Sequence, residues 1–160
     1  TAIYASPFNG SPSSKTFGLG IILGEPTGLS GRVAIDKNSV IDMALAFSLD
    51  DDDDHDGDDD SHYHIHADYL YKYYDAIGLR KGEMPLYIGI GARITERDHH
   101  DWRHHHDEDE VHLGLRIPFG IQYEFANAPF EIFLEIAPVL DIIPETDLHF
   151  NGGLGVRFWF

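Results

Sequence analysis

Residues 148–160 alternate strictly between two kinds of side chain. One set is apolar apart from a glycine and comprises Phe150, Gly152, Leu154, Val156, Phe158 and Phe160. The other set is mostly small, polar or charged and comprises His149, Asn151, Gly153, Gly155, Arg157 and Trp159. Because successive side chains of a strand point to opposite faces, a period of two predicts a strand with one apolar and one polar face.

The same alternation recurs along the chain and predicts eight strands. The first seven are expected at about 16–24, 27–36, 40–49, 62–74, 85–96, 111–125 and 130–141, and the closing segment is the eighth. No stretch shows convincing helical periodicity, and the absence of a run of 18 apolar residues excludes a transmembrane helix. Most of these segments exceed the usual strand length of about 5–6 residues and suit strands that cross a membrane at a tilt.

The polar faces of these segments carry five bases and six acids among glycine, alanine and serine. These charged residues are Arg32, Asp42, Asp68, Lys72, Arg93, Arg116, Glu124, Glu131, Glu135, Asp141 and Arg157. A narrow barrel interior admits small residues and requires its charges to be paired, so we expect this set to form a charge network in the lumen. The alternative is a soluble barrel with these residues on its solvated outer face, although so many glycines would weaken such strands without purpose.

Aromatic residues gather at one end of the predicted strands. They are Tyr71, Tyr73, Tyr123, Phe125, Phe130, Phe158 and Phe160, and they predict a girdle at a membrane interface. With eight strands, both ends of the barrel sequence and the turns at 36–39 and 126–129 lie on this side. The long segments at about 50–61 and 96–110 then lie together on the opposite side.

Taken together, the eight alternating segments and the closing strand that ends at Phe160 resemble the small outer-membrane barrels of the OmpX and OmpA transmembrane-domain type. The resemblance covers residues 16–160, and the motif Gly24-Glu-Pro-Thr-Gly-Leu-Ser30 resembles one in an uncharacterised group of bacterial barrels. It implies an all-β, eight-stranded antiparallel up-and-down transmembrane barrel with a polar lumen. It also implies the outer membrane of a Gram-negative bacterium, extracellular loops and periplasmic termini. Residues 1–15 are expected to form a flexible leader.

Most of the formal net charge of -17 is concentrated in the two long segments. Residues 50–60 contain nine aspartates and no base, and residues 96–110 contain seven acids and two arginines. Such segments repel nucleic acid and attract cations, so nucleic acid is excluded as a partner and metal ions are favoured.

Ten of the eleven histidines lie in or beside the same two segments. Imidazole suits Zn, Cu and Ni, whereas carboxylates suit Ca, and the absence of cysteine excludes a thiolate site. The candidate metal ligands are His55, His62, His64, His66, His99, His100, His104, His105, His106, His112, Asp52, Asp54 and Asp56. We therefore expect the loops to bind divalent metal, with no organic cofactor. The alternative is a solvated anionic fringe that binds cations loosely.

The resemblance leaves the function open, because this architecture serves many functions. A structural protein is one alternative, in which metal bridges between loops, or docking of the leader through Tyr4 and Phe8, join copies into oligomers or filaments. A lipid-modifying enzyme is another, but Ser48 and Ser61, the serines near the histidine-rich end, lie in no nucleophile motif, so we expect no enzyme. An open pore is disfavoured because side chains fill the interior of an eight-stranded barrel.

The membrane-barrel prediction can be tested by gel electrophoresis in detergent. A closed barrel resists unfolding without heat, so unheated protein is expected to migrate differently from boiled protein. Identical migration of the two samples would contradict the prediction.

Overall fold

A computed structural model describes residues 15–48, 62–97 and 110–160 of the chain. It is an antiparallel β-structure with one turn of 3-10 helix at Tyr74–Ala76. The strands are β1 Phe17–Glu25, β2 Gly28–Ala34, β3 Ser39–Ser48, β4 His62–Tyr73, β5 Leu86–Arg97, β6 Glu110–Arg116, β7 Phe119–Glu124, β8 Phe130–Ile143 and β9 Asp147–Trp159. The described ranges contain no helix long and apolar enough to cross a membrane. The predicted leader lies outside these ranges except for Lys15.

The strands form a closed ring with eight positions. Each of β1 to β4 pairs with the next strand, β8 pairs with β9, and β9 returns to β1 with Trp159 opposite Gly18. β6 and β7 share one position, because both lie between β5 and β8. The ring confirms the predicted eight-stranded antiparallel barrel.

The sixth strand was expected to run continuously over 111–125, but the structure divides it in two. It is interrupted at Ile117 and Pro118, which separate β6 from β7. Proline has no backbone N–H to donate to a neighbouring strand, so the regular ladder ends there. Two hydrogen bonds still span the break: Ile117 N–H donates to the Pro138 carbonyl at 3.0 Å, and the Pro118 carbonyl accepts from Gly89 N–H at 2.8 Å. The barrel wall therefore stays closed.

The barrel is polar inside and apolar outside. Along β8, the buried residues Glu131, Phe133 and Glu135 alternate with the exposed residues Ile132 and Leu134. Across the described residues, fifteen polar or charged side chains are buried against nine hydrophobic ones, while many large aliphatic and aromatic side chains are exposed. This is the inverse of a soluble barrel, because burial of charges and exposure of apolar surface are both unfavourable in water. The soluble alternative is therefore wrong.

The strand order gives the barrel two unlike ends. The start of β1, the end of β9 and the connections 35–38, 74–85 and 125–129 lie at one end, which we call the terminus end. The connections 26–27 and 144–146 lie at the other, the loop end. The same end holds Ser48, His62, Arg97 and Glu110, the strand ends that flank residues 49–61 and 98–109. The predicted acidic loops themselves lie outside the described residues.

Along β9, glycine size is expected to matter on the inner face and not on the outer face. A Cβ at Gly155 would overlap the ring of Phe133, whereas a Cβ at Gly152, on the outer face of the same strand, would come no closer than 3.6 Å to the Glu135 carbonyl oxygen. Gly155→Val is therefore expected to lower the free energy of unfolding by about 1–3 kcal/mol. Gly152→Val is the matched control and is expected to change it little. Urea titration in lipid vesicles measures both, and equal losses would contradict this account.

Candidate functional site

Four charged side chains from four strands meet in the lumen, in the half of the barrel nearer the terminus end. Arg32 Nε contacts Asp42 Oδ1 at 2.6 Å, and Arg32 Nη1 lies 3.2 Å from Glu131 Oε1. Arg157 contacts the same two acids, through Nη2 to Asp42 Oδ2 at 2.9 Å and through Nη1 to Glu131 Oε1 at 2.8 Å. All four side chains are at most 2% exposed. Two guanidinium groups thus share two carboxylates, so the two positive and two negative charges cancel.

Arg157 has further contacts that fix its position. Its Nε donates to Ser30 Oγ at 2.8 Å, and its guanidinium carbon lies 3.8 Å from the centre of the Phe133 ring. A guanidinium over an aromatic face gains a cation–π interaction in addition to its ion pairs. The side chain therefore joins β2, β3, β8 and β9 from the inside.

A second group of contacts closes the lumen at the terminus end. Lys72 Nζ lies 3.1 Å from Glu124 Oε1, and the same oxygen accepts from Tyr74 OH at 3.0 Å and from Gln122 Nε2 at 2.6 Å. Trp159 Nε1 donates to Glu131 Oε2 at 3.0 Å. Burial and the neighbouring Glu124 carboxylate raise the pKa of Tyr74, which keeps its phenol protonated as a donor.

A third group surrounds Arg116, between these four charges and the loop end. Its Nη2 contacts Glu135 Oε1 at 2.7 Å, its Nη1 donates to His66 Nδ1 at 2.8 Å, and its Nε lies 3.3 Å from Asp68 Oδ2. Neither carboxylate oxygen of Asp68 accepts a hydrogen bond from the described residues, so charge attraction to Arg116 holds this buried group. Tyr87 OH donates to the other oxygen of Glu135 at 3.1 Å. Its ring lies under the guanidinium of Arg32, so Tyr87 links this group to the four charges described first.

The ligand atoms of His66, Asp68 and Glu135 lie within 4.8 Å of one another, a spacing that a metal ion could span. The three nitrogens of the Arg116 guanidinium each face one of these three residues. A metal ion at this point would meet a fixed positive charge at contact distance. Arg116 is therefore the cation that this cluster holds.

Arg93 marks the loop end of the lumen. It forms a bidentate pair with Asp141, with Nη2 at 2.7 Å from Oδ2, and its Nη1 donates to Asn151 Oδ1 at 3.2 Å. His149 Nε2 lies 3.2 Å from Asp141 Oδ2 and 3.3 Å from Asp147 Oδ2. Asp141 and Asp147 are cross-strand partners on β8 and β9, so His149 lies between two carboxylates at the rim.

The structure places the predicted metal ligands in different environments. His64 and His66 occupy the inner face of β4, where His64 Nε2 lies 3.1 Å from His66 Nδ1. His66 is buried against Arg116 rather than free at the rim, and His112 is half-buried on β6. His62 begins β4. Outside the described residues lie His55, His99, His100, His104, His105, His106, Asp52, Asp54 and Asp56.

All eleven members of the predicted charge set line the interior, where each contacts another member of the set. The sequence analysis missed the neutral partners of that network. They are Ser30, Tyr87, Gln122, Asn151 and Trp159. Their position on the polar faces of the strands was the available signal, but these residues carry no charge.

Among known proteins, a family model described as "Protein of unknown function (DUF3996)" matches residues 10–160. No curated protein matches the sequence. Among solved structures, the chain is similar to the N-terminal β-barrel domain of Pseudomonas aeruginosa OprF, with a TM-score of 0.63 and 13% identity over 91% of this chain and 96% of that one.

Two further structures match with lower scores. Neisserial surface protein A has a TM-score of 0.47 and 14% identity, over 91% of this chain and 94% of its own. The attachment invasion locus protein Ail of Yersinia pestis has a TM-score of 0.41 and 10% identity, over 91% and 95%. The similarity to the OprF domain concerns the fold and agrees with the ring of strands.

The network of Arg32, Asp42, Glu131 and Arg157 predicts that removal of Arg157 strongly lowers stability. Arg157→Met leaves two buried carboxylates with one cation fewer, which is expected to lower the free energy of unfolding by about 3–5 kcal/mol. Adding Glu131→Gln removes one of the uncompensated charges and is expected to restore part of this loss. Arg80→Met, in the exposed 74–85 connection, is the control and is expected to change stability by less than about 0.5 kcal/mol. A double variant no more stable than the single one, measured by urea titration, would contradict the charge argument.

Proposed function

The chain belongs to the family described as "Protein of unknown function (DUF3996)", and from this premise and its fold we propose that it is a non-enzymatic outer-membrane barrel whose acidic, histidine-rich loops bind divalent cations at the cell surface. The barrel acts as a rigid anchor, and the loops carry the binding chemistry. The termini are periplasmic and the loops extracellular.

The outer surface supports the membrane location. The outward residues of the strands are apolar along their length, with Leu29 at 58% and Leu154 at 53% exposure. Such a surface is stable in lipid and unstable in water. At the terminus end, aromatic rings of the outer surface contact one another, with centroids 4.9 Å apart for Tyr71 and Tyr73 and 5.0 Å apart for Phe130 and Phe158. These contacts suit an interfacial girdle.

The observation that carries the functional proposal is the filled lumen. The buried charges of the described strands engage one another from Lys72 at the terminus end to Arg93 at the loop end. A small molecule entering this interior would have to break buried ion pairs, which costs several kcal/mol each. Ligand chemistry is therefore favoured at the loop end, where the aspartate- and histidine-rich segments leave the barrel.

Residues at the loop-end rim of the barrel supply further candidate metal ligands. Asp147 and His149 lie partly exposed on β9, and Glu96 lies near the end of β5. Imidazole and carboxylate groups together suit Zn, Cu and Ni, and carboxylates alone suit Ca. The described rim thus has the same chemistry as the segments that extend from it.

Calorimetric titration of the folded barrel with zinc or copper tests this proposal. The triple variant His104→Ala, His105→Ala, His106→Ala is expected to lose at least about tenfold in affinity if these histidines are ligands. His66→Gln is the matched control, since His66 is bound by Arg116 in the lumen, and its metal affinity is expected to equal that of the unaltered protein. Absence of any site tighter than millimolar would overturn the proposal.

A further inference from the structure

At the loop end, β9 extends beyond its neighbour β1 and leaves part of its edge unpaired. On the β8 side, the pairing continues as far as Asp141 opposite Asp147. On the β1 side, the pairing stops at Glu25 opposite Gly152, because β1 ends there. Residues 147–151 therefore have a strand partner on the β8 side and none on the β1 side among the described residues.

The backbone groups of Leu148 and Phe150 face this open edge. At the other end of β9, Phe160 N–H donates to the Phe17 carbonyl of β1 at 2.8 Å. Because hydrogen bonding alternates between the two sides of an antiparallel strand, the backbone of every even-numbered residue of β9 is directed towards β1. Leu148 and Phe150 have this direction, but β1 does not reach their level.

A side chain of β9 already engages one of these backbone groups. Leu148 N–H donates to Asp147 Oδ1 at 2.9 Å, so a carboxylate takes the place of a neighbouring strand. The N–H of Phe150 and the carbonyls of Leu148 and Phe150 lie beyond the last pair with β1, where no described strand engages them. A strand edge of this kind is a template for pairing with another extended chain.

The side chains of the edge are apolar on one face and acidic around it. Leu148 and Phe150 point outward and are 57% and 65% exposed, and Phe150 is the most exposed large hydrophobic residue of the described ranges. Asp147 is 69% exposed, and Glu25 and Glu145 beside it are also exposed. Residues 24–27 and 145–151 contain no lysine or arginine. A partner segment therefore meets apolar groups on the outer face and negative charge at the rim.

A second copy of this chain in the same membrane does not fit the edge. Antiparallel pairing of two identical edges requires a two-fold axis perpendicular to the sheet. Because the barrel wall stands upright in a membrane, this axis would lie in the membrane plane and invert the second copy. Parallel pairing would place the axis along the tilted strand and turn the second copy out of the membrane. Both edges would also carry the same negative charge, which adds repulsion.

We propose that residues 147–151 bind an extended, basic segment of a partner protein as an added antiparallel strand. The backbone of this segment completes the hydrogen bonds of Phe150 and of the Leu148 carbonyl, as in strand addition to a sheet edge. Its side chains alternate between apolar groups beside Leu148 and Phe150 and lysine or arginine beside Asp147. Strand addition at this edge needs no metal ion and goes beyond the proposed cation binding.

A short peptide of alternating lysine and valine is the probe for this edge. Fluorescence anisotropy with the folded barrel in metal-free zwitterionic detergent is expected to show binding. Phe150→Pro is expected to weaken it about tenfold, because proline has no N–H to donate to the peptide. The β8 ladder does not use this N–H, so the barrel is expected to fold. Phe150→Val is the matched control, since it keeps the donor and an apolar side chain, and it is expected to retain the affinity within about twofold.

Amide hydrogen exchange in the unaltered protein locates the bound peptide, because an acidic chain also attracts lysine by charge alone. The Phe150 amide is expected to exchange rapidly in the free barrel and slowly with the peptide bound. The Gly152 amide, opposite Glu25, is expected to exchange slowly in both states. A peptide of alternating glutamate and valine is expected to bind at least about tenfold more weakly than the lysine peptide.

Four results would overturn the inference. They are no binding of the lysine peptide, binding without protection of the Phe150 amide, equal affinities of the Phe150→Pro and Phe150→Val variants, and a Phe150 amide that is protected without peptide. The last result would show that this chain covers its own edge. Heat-dependent gel migration reports separately on whether each variant forms the barrel, and the exchange measurement on the unaltered protein does not depend on the variants.

Discussion

Arg32 and Arg157 share the carboxylates of Asp42 and Glu131 inside the barrel, and the rest of the interior is organised around this pairing. A closed wall with apolar residues outside leaves polar groups no place but the lumen. There, each charge needs a partner of opposite sign, because an isolated buried charge is strongly destabilising. The four residues come from β2, β3, β8 and β9, so their pairing also joins strands that are distant in sequence.

This requirement explains the distribution of residue sizes. Arginine side chains are long enough to cross a narrow lumen, and they need room on the opposite wall. Phe133, which packs against Arg157, also faces Gly155, whose missing side chain leaves space for its ring. Small residues on the inner face therefore provide the space in which the large, charge-paired side chains pack.

The paired charges that fill the lumen also leave no free site for an outside ligand inside the barrel. Arg116 lies among His66, Asp68 and Glu135, a cluster with the spacing of a metal site, and its guanidinium already supplies the positive charge. The proposed cation binding therefore belongs to the loop end, where the strands that flank the acidic, histidine-rich segments end.

The sequence by itself determined the eight strand positions of the ring, their faces and their approximate bounds, since alternation with a period of two depends only on local backbone geometry. It also identified the charged residues that face inward, because Glu131, Arg157 and their counterparts share the parity of the polar face. It did not determine the break at Pro118, which depends on how the neighbouring strands bridge it. Nor did it determine which charges pair, as Arg157 with Asp42, because that follows from closure of the ring, which brings residues 115 positions apart to 2.9 Å. The same closure placed His66 beside Arg116 inside the lumen.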